Sequence, residues 1–184
     1  MAVRKLMIGA LLATCAGTAS ASVTVIGSSD ARICFEAADS PTMPEVRDLR
    51  RCDDALGVGN LSAYEIVATH VNRGILRLRR GQIDEAIADF DMAMRLDPDQ
   101  PEAYLNKGAA LMQRQNASEA AQLFTVALQH NTRRPAIAHY GRAVAYEELG
   151  NVREAYEEYR LASQLAPDWT APRADLQRFR VVQH

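Results

Sequence analysis

The chain is poor in cysteine, with three in 184 residues. That is too few for a small fold held together by disulfides. Aromatics make up 6% and there is a single Trp. No apolar run reaches the roughly 20 residues that cross a bilayer, so a membrane protein of several spans is excluded. Neither sign of charge dominates. There are 21 Lys plus Arg against 23 Asp plus Glu, a formal net charge of −2. A nucleic-acid binder would be clearly basic, so the expected partners do not include nucleic acid. The chain also lacks GxSxG, a P-loop, HExxH and CxxC. Hydrolase, nucleotide and zinc chemistry have no motif here. No catalytic residue, cofactor or metal site is expected, and the chain does not read as an enzyme. What it has is 48% hydrophobic residues at a mean hydropathy of −0.21, the composition of a folded core and not of a disordered chain.

Residues 1–21 have the pattern of a secretory signal peptide. Arg4 and Lys5 precede an apolar stretch from Leu6 to Ala16, and Ala19-Ser20-Ala21 supplies the small-x-small site for cleavage before Ser22. The mature chain then has no membrane span, and the expected address is outside the cytoplasm, in a bacterial periplasm. A rival site, Leu12-Ala13-Thr14-Cys15, resembles a lipoprotein box. Thr14 stands where that pattern prefers Gly or Ala, so a lipid anchor at Cys15 is the lesser expectation. Export would remove Cys15 and leave Cys34 and Cys52 as an even pair in an oxidising compartment. A disulfide between them is expected. It would be worth on the order of 3 kcal/mol in the chain-entropy view. Two buried free thiols are the alternative.

Internal repetition is the strongest signal. Gly74, Ala86, Phe90 and Ala93 recur, after a step of about 34 residues, as Gly108, Ala120, Phe124 and Ala127, and again as Ala143, Ala155, Tyr159 and Ala162. Each unit reads as two antiparallel helices. In the first, helix A runs from about Ser62 to Arg80, Gly81 breaks it, and helix B runs from about Ile83 to Leu96, with Pro98 at its exit. Ile83, Ala86, Ile87, Phe90, Ala93 and Met94 share one helical face. Small residues mark where two helices approach closely, and Phe90 fills the space between one unit and the next. A lone unit cannot bury these residues, whereas stacked units can.

The spacing and residue types resemble tetratricopeptide repeats, at 67–100, 101–134 and 136–169. The resemblance implies an all-α, right-handed superhelical solenoid over 61–169. A Cys-bearing helical cap at 22–60 and a C-terminal capping helix and tail at 170–184 would cover its ends. In the middle unit Gln115 replaces the turn glycine, and Asn116 is expected to supply the left-handed turn residue. Leu176 and Phe179 are expected on one face of the C-terminal helix, above Trp169. Gly57-Val58-Gly59-Asn60 reads as a simple turn.

The polar residues mostly read as structural. His70 and His139 occupy equivalent packing positions. Arg77, Arg79 and Arg80 suit the C-terminal end of a helix. Glu147-Glu148 and Glu157-Glu158 read as solvated faces. Arg73, Lys107 and Arg142 read as stems laid along the helix groove with heads paired to local carboxylates.

The resemblance also implies a binding surface, the concave face lined by each helix A. Carried onto this sequence it comprises Val71, Asn72, Ile75 and Leu78, then Leu105, Asn106 and Met112, then Ile137, Tyr140 and Val144. The set is mostly apolar. Asn72 and Asn106 are suited to hydrogen-bonding a peptide backbone. The bases that chaperone-tail readers use to clamp a carboxylate are replaced here by Val71, Ile75, Ile137 and Gly141, so acidic C-terminal tails are poor candidates. The expected function is a protein-interaction module of the cell envelope whose groove takes an apolar or amphipathic segment of another protein. Three rival readings remain: an enzyme or enzyme accessory of envelope metabolism, a groove filled by the chain's own N-terminal segment, and self-association through the same surface.

Overall fold

The computed structural model describes residues 2–5, 21–25 and 29–182. Among them are nine helices and one short two-stranded ribbon. The elements are β1 (Ala2–Lys5), α1 (Ser29–Asp39), α2 (Val46–Gly57), α3 (Ala63–Arg79), α4 (Ile83–Leu96), α5 (Pro101–Gln113), α6 (Ala117–Gln129), α7 (Pro135–Glu148), α8 (Val152–Leu165), α9 (Thr170–Leu176) and β2 (Phe179–Val182). Pairs α3/α4, α5/α6 and α7/α8 pack internally. Each pair then stacks on the next, α4 against α5 and α6 against α7. This is the all-α solenoid that the repetition predicts.

Local chemistry sets the helix limits. Ser62 begins α3 with a reciprocal cap: its hydroxyl accepts from the Glu65 amide, and the Glu65 carboxylate accepts from the Ser62 amide. Pro101 and Pro135 occupy first helical positions, where no N–H is needed. Gly81 and Gly150 supply the left-handed residue between helices A and B of the first and third units. In the second unit that residue is Gln115 itself, at φ 60°. Asn116 instead caps α6, its side chain accepting from the Glu119 amide. The expectation for Asn116 is thereby corrected. Capping the orphan amides of α6 uses an Asn better than occupying a turn does, and the turn imposes its conformation on Gln115.

The core is a row of small residues facing rings. A Cβ placed on Gly74 would come within 2.5 Å of the Phe90 ring, on Gly108 within 2.9 Å of the Phe124 ring, and on Gly141 within 2.5 Å of that same ring. Phe90 and Phe124 are buried, so neither can swing aside. Gly141→Ala is therefore expected to destabilise the chain by about 1–3 kcal/mol through overpacking, although alanine is intrinsically better in a helix by about 1 kcal/mol. Chemical denaturation checks this, and an unchanged or raised midpoint would contradict it.

The two ends differ from one another. At the N-terminal end α1 and α2 form a hairpin that packs on α3. Arg79 donates to the carbonyls of Ala38, Ser40 and Thr42, and Arg80 to that of Pro44. These two bases hold the proline-containing link of the hairpin. The Cα atoms of Cys34 and Cys52 are 5.0 Å apart, a separation that a disulfide spans. At the C-terminal end α9 stops at Leu176 and the chain turns into β2. Phe179 is thus in a strand and not on a continued helix face. It is buried against Tyr156 and Tyr159, and Trp169 packs on Tyr140 with ring centroids 4.7 Å apart. Strand β2 pairs antiparallel with β1 in the register Ala2↔Val182 to Lys5↔Phe179, and β1 also lies against α8. The cap is held by Arg178, which pairs with both Glu147 and Asp175. Of the expected leader, residues 6–20 and with them Cys15 lie outside the described residues.

Candidate functional site

The concave face carries an extended stretch of the chain itself. Residues 21–25 run across helices α5 and α3 without secondary structure of their own. The Val23 amide donates to Asn72 Oδ1 at 2.8 Å, and Asn72 Nδ2 donates to the Val23 carbonyl at 2.7 Å. Two residues earlier the pattern repeats one unit along. The Ala21 amide donates to Asn106 Oδ1 at 3.3 Å, and Asn106 Nδ2 donates to the Ala21 carbonyl at 3.0 Å. Each asparagine therefore takes both backbone groups of one residue, its N–H and its C=O, as a neighbouring strand would. The Tyr64 hydroxyl donates to the Thr24 carbonyl, and the Ser22 hydroxyl donates to Asp39.

Side chains alternate along this stretch, as an extended chain requires. Ala21, Val23 and Val25 are buried, while Ser22 is half-buried and Thr24 exposed. Ala21 joins the cluster of Leu105, Met112 and Ile137. Val23 and Val25 join that of Val71 and Ile75. Asn72 is 0% exposed and Asn106 2%. A buried amide is costly unless its donors and acceptor are met, and the extended backbone meets them.

The sequence-derived face is therefore assembled, but half of its residues are buried. Val71, Asn72, Ile75, Leu105 and Asn106 are buried. Leu78, Met112, Ile137, Tyr140 and Val144 are half-buried. Leu105, at 1% exposure, is core, and a charge placed there would unfold the chain instead of testing a surface. The asparagine ladder has two rungs. Its third position is Gly141, where the Phe124 ring leaves no room for a side chain.

Behind the face lie two matching charge networks. Asp89, on α4, takes His70 at 2.9 Å, Arg73 at 2.7 Å and Arg77 at 2.7 Å. Glu158, on α8, takes His139 at 2.8 Å and Arg142 at 2.7 Å. Burial alone would raise both carboxyl pKa values. The hydrogen bonds from His and Arg and the Arg charges outweigh it, so both lie below the ordinary range. The middle unit lacks this network: Lys107 pairs with Asp91 and Glu119, and Tyr104 stacks on His130. Arg73, Lys107 and Arg142 are paired to local carboxylates as the sequence suggests. Glu147 and Glu158 correct the reading of solvated faces. Glu158 is buried, and Glu147 takes the Arg178 fork and the Tyr159 hydroxyl. The signal for Glu158 was in the sequence: His, Arg and carboxylate recur together between the first and third units, as His70, Arg73 and Asp89, then His139, Arg142 and Glu158.

Among the described residues no group of three or more His, Cys, Asp or Glu could hold a metal ion, and no helix is long and apolar enough to cross a membrane.

Two tetratricopeptide-repeat profiles match the chain, over residues 71–135 and 136–169, together just over half of it. A plant relative, the Arabidopsis thaliana protein described as a CTR9 homolog, is 32% identical over 101 residues. The match takes in 55% of this chain and 9% of the relative, so the chain spans about a tenth of that protein's length. Among solved structures, the first tetratricopeptide domain of Spaghetti (RPAP3) bound to the HSP90 peptide SRMEEVD aligns with a TM-score of 0.59 at 23% identity, covering 61% of this chain and 89% of that one. MamA aligns with a TM-score of 0.61 at 22% identity, covering 70% of this chain and 72% of that one. These likenesses are of fold. The two profiles establish that the chain belongs to the tetratricopeptide-repeat family of protein–protein interaction modules.

Proposed function

We propose that the protein is exported and acts in the cell envelope, in a bacterial periplasm, as a non-catalytic module whose concave face takes an extended apolar segment of another protein. The observation that carries this reading is the pair of asparagines. Asn72 and Asn106 spend their side chains on backbone amides and carbonyls, a grip independent of the ligand's side chains. The apolar walls supply the remaining affinity. The Spaghetti domain is bound to a peptide with acidic residues. In this chain the equivalent face carries Val71, Ile75, Ile137 and Gly141, so an uncharged segment suits it better. Export rests on the composition of residues 1–21, and the juxtaposed Cys34 and Cys52 suit an oxidising compartment.

A photo-reactive residue at half-buried Val144 tests the function in the native envelope. The expected product is a crosslink to an apolar stretch of a second protein, identified by mass spectrometry of the joined peptides. Crosslinks confined to the chain itself would contradict the reading. The same preparation tests the address. The expected chain starts at Ser22, so that processing removes β1 and Ala21, and it carries a Cys34–Cys52 bridge, seen as a two-dalton deficit against the thiol form. An unprocessed chain with free thiols would contradict export.

A further inference from the structure

We infer that residues 21–25 of the unprocessed chain are a placeholder for that ligand, and that they define its class; cleavage before Ser22 takes Ala21 off Asn106 and leaves Val23 on Asn72. The partner is an extended segment with a small or β-branched uncharged residue at three alternate positions, running N to C from the second repeat toward the first. The inference rests on the interaction reading above and adds its register, its direction and the chain's own competitor.

The register follows from the hydrogen bonds. Asn106 takes residue 21 and Asn72 takes residue 23, so the two rungs select positions i and i+2 of an extended chain. Residues 21, 23 and 25 point into the face and are buried, whereas 22 and 24 point away. The inward positions exclude charge, because a carboxylate or ammonium there would be desolvated without a partner. Of the outward positions, Ser22 is half-buried and donates to Asp39, and Thr24 is exposed.

Displacement follows from how the segment is held. No helix or strand ladder includes residues 21–25; their backbone is bound by the side chains of Asn72, Asn106 and Tyr64. Phe90 packs on Gly74 and Phe124 on Gly108 within their hairpins, and Phe124 also packs on Gly141 of the next hairpin; none of these contacts is made by the segment. The asparagines themselves point to recognition. A surface that only had to be covered once would be covered more stably by leucine at both positions, since a buried amide adds cost wherever its partners are lost. Two amides at strand register are suited to a backbone that comes and goes.

Val23→Pro in the 184-residue chain provides the test. Proline removes the amide that donates to Asn72 Oδ1 but keeps an extended conformation and a similar volume. The probe is the fluorescent peptide Ala-Ser-Val-Thr-Val, acetylated and amidated. The variant is expected to keep the helical circular dichroism of the unaltered chain and to bind the peptide about 30-fold more tightly. Adding Asn72→Ala is expected to take about 30-fold away again, the worth of two amide hydrogen bonds. The peptide Ala-Ser-Asp-Thr-Asp is expected not to bind. Hydrogen exchange in the unaltered chain is a second measurement: the Val23 amide should exchange at least about 100-fold faster than the slowest amides of α3 and α5.

A folded Val23→Pro chain that fails to take the peptide would overturn the inference. So would a variant that does not fold, or a Val23 amide that exchanges only with the core, since each makes the segment structural. A concentration-dependent dimer of the unaltered chain, with the segment of one copy on the face of another, would overturn it in favour of self-association. These outcomes are separate from the envelope reading. A Val144 crosslink to a second protein with no peptide binding would leave the interaction function standing and remove only the register.

Discussion

Asp89→Ala is expected to destabilise the chain by about 3–5 kcal/mol, the cost of breaking a buried ion pair from one side. The Asp89 side chain is 3% exposed, and removing it leaves Arg73, Arg77 and His70 facing one another without a counter-charge. Arg73 keeps Asp53, which offsets part of the loss. The middle repeat shows an apolar alternative. Leu123 stands at the position equivalent to Asp89, and Tyr104 at that of His70. Leu111 stands at that of Arg77. Exchanging His70, Arg77 and Asp89 together for Tyr, Leu and Leu, with Arg73 kept on Asp53, should therefore cost less than Asp89→Ala alone. Urea midpoints of the three chains check this. Equal losses for the single and the triple exchange would contradict the account.

The same network fixes a pH dependence. The carboxyl groups of Asp89 and Glu158 have lower pKa values in the folded chain than in the unfolded one. Their stabilisation is complete above the ordinary carboxylate range, near pH 4. It is lost as the pH falls through their folded values. Asp89→Asn with Glu158→Gln should flatten the acid limb of the stability curve.

Phe124→Ala is expected to cost about 3–5 kcal/mol, the range for a large buried ring. The ring faces Gly108 of its own hairpin and Gly141 of the next, so its removal opens a cavity at the junction of the second and third units. In a solenoid such a junction carries the coupling between neighbours. The third unit should then unfold at lower denaturant than the first, and a single transition should broaden or split. A loss below about 1 kcal/mol, with the transition still sharp, would show that the units do not depend on this ring.

The fold was legible because packing leaves a periodic trace. Gly74 and Phe90, and Gly108 and Phe124, are contacts between helices A and B of one hairpin, Ala143 and Tyr159 share one core cluster, and their recurrence in the sequence marks the repeated hairpin. The asparagines were legible for the same reason, as polar exceptions on an apolar face. Their occupant was not identified, though its own N-terminal segment was one of the alternatives. Val23-Thr24-Val25 is too short a run to show alternation, and it follows a stretch that reads as a leader. The switch at Phe179 was hidden by a three-residue spacing from Leu176 that fits a helix, while the strand depends on a partner at the far end of the chain. Glu147 looked solvated because Arg178, which holds it, arrives from that same turn.

The central claim is that two asparagines on the concave face hold an extended backbone. Through-space magnetisation transfer between the Asn72 and Asn106 side-chain amides and residues 21–25, in the 184-residue chain, tests it most directly. The account requires cross-peaks from the Asn72 amide protons to Val23 and from those of Asn106 to Ala21, together with extended-chain shifts for residues 21–25. Asparagine amides that contact only their own helices, beside random-coil shifts for that segment, would contradict it.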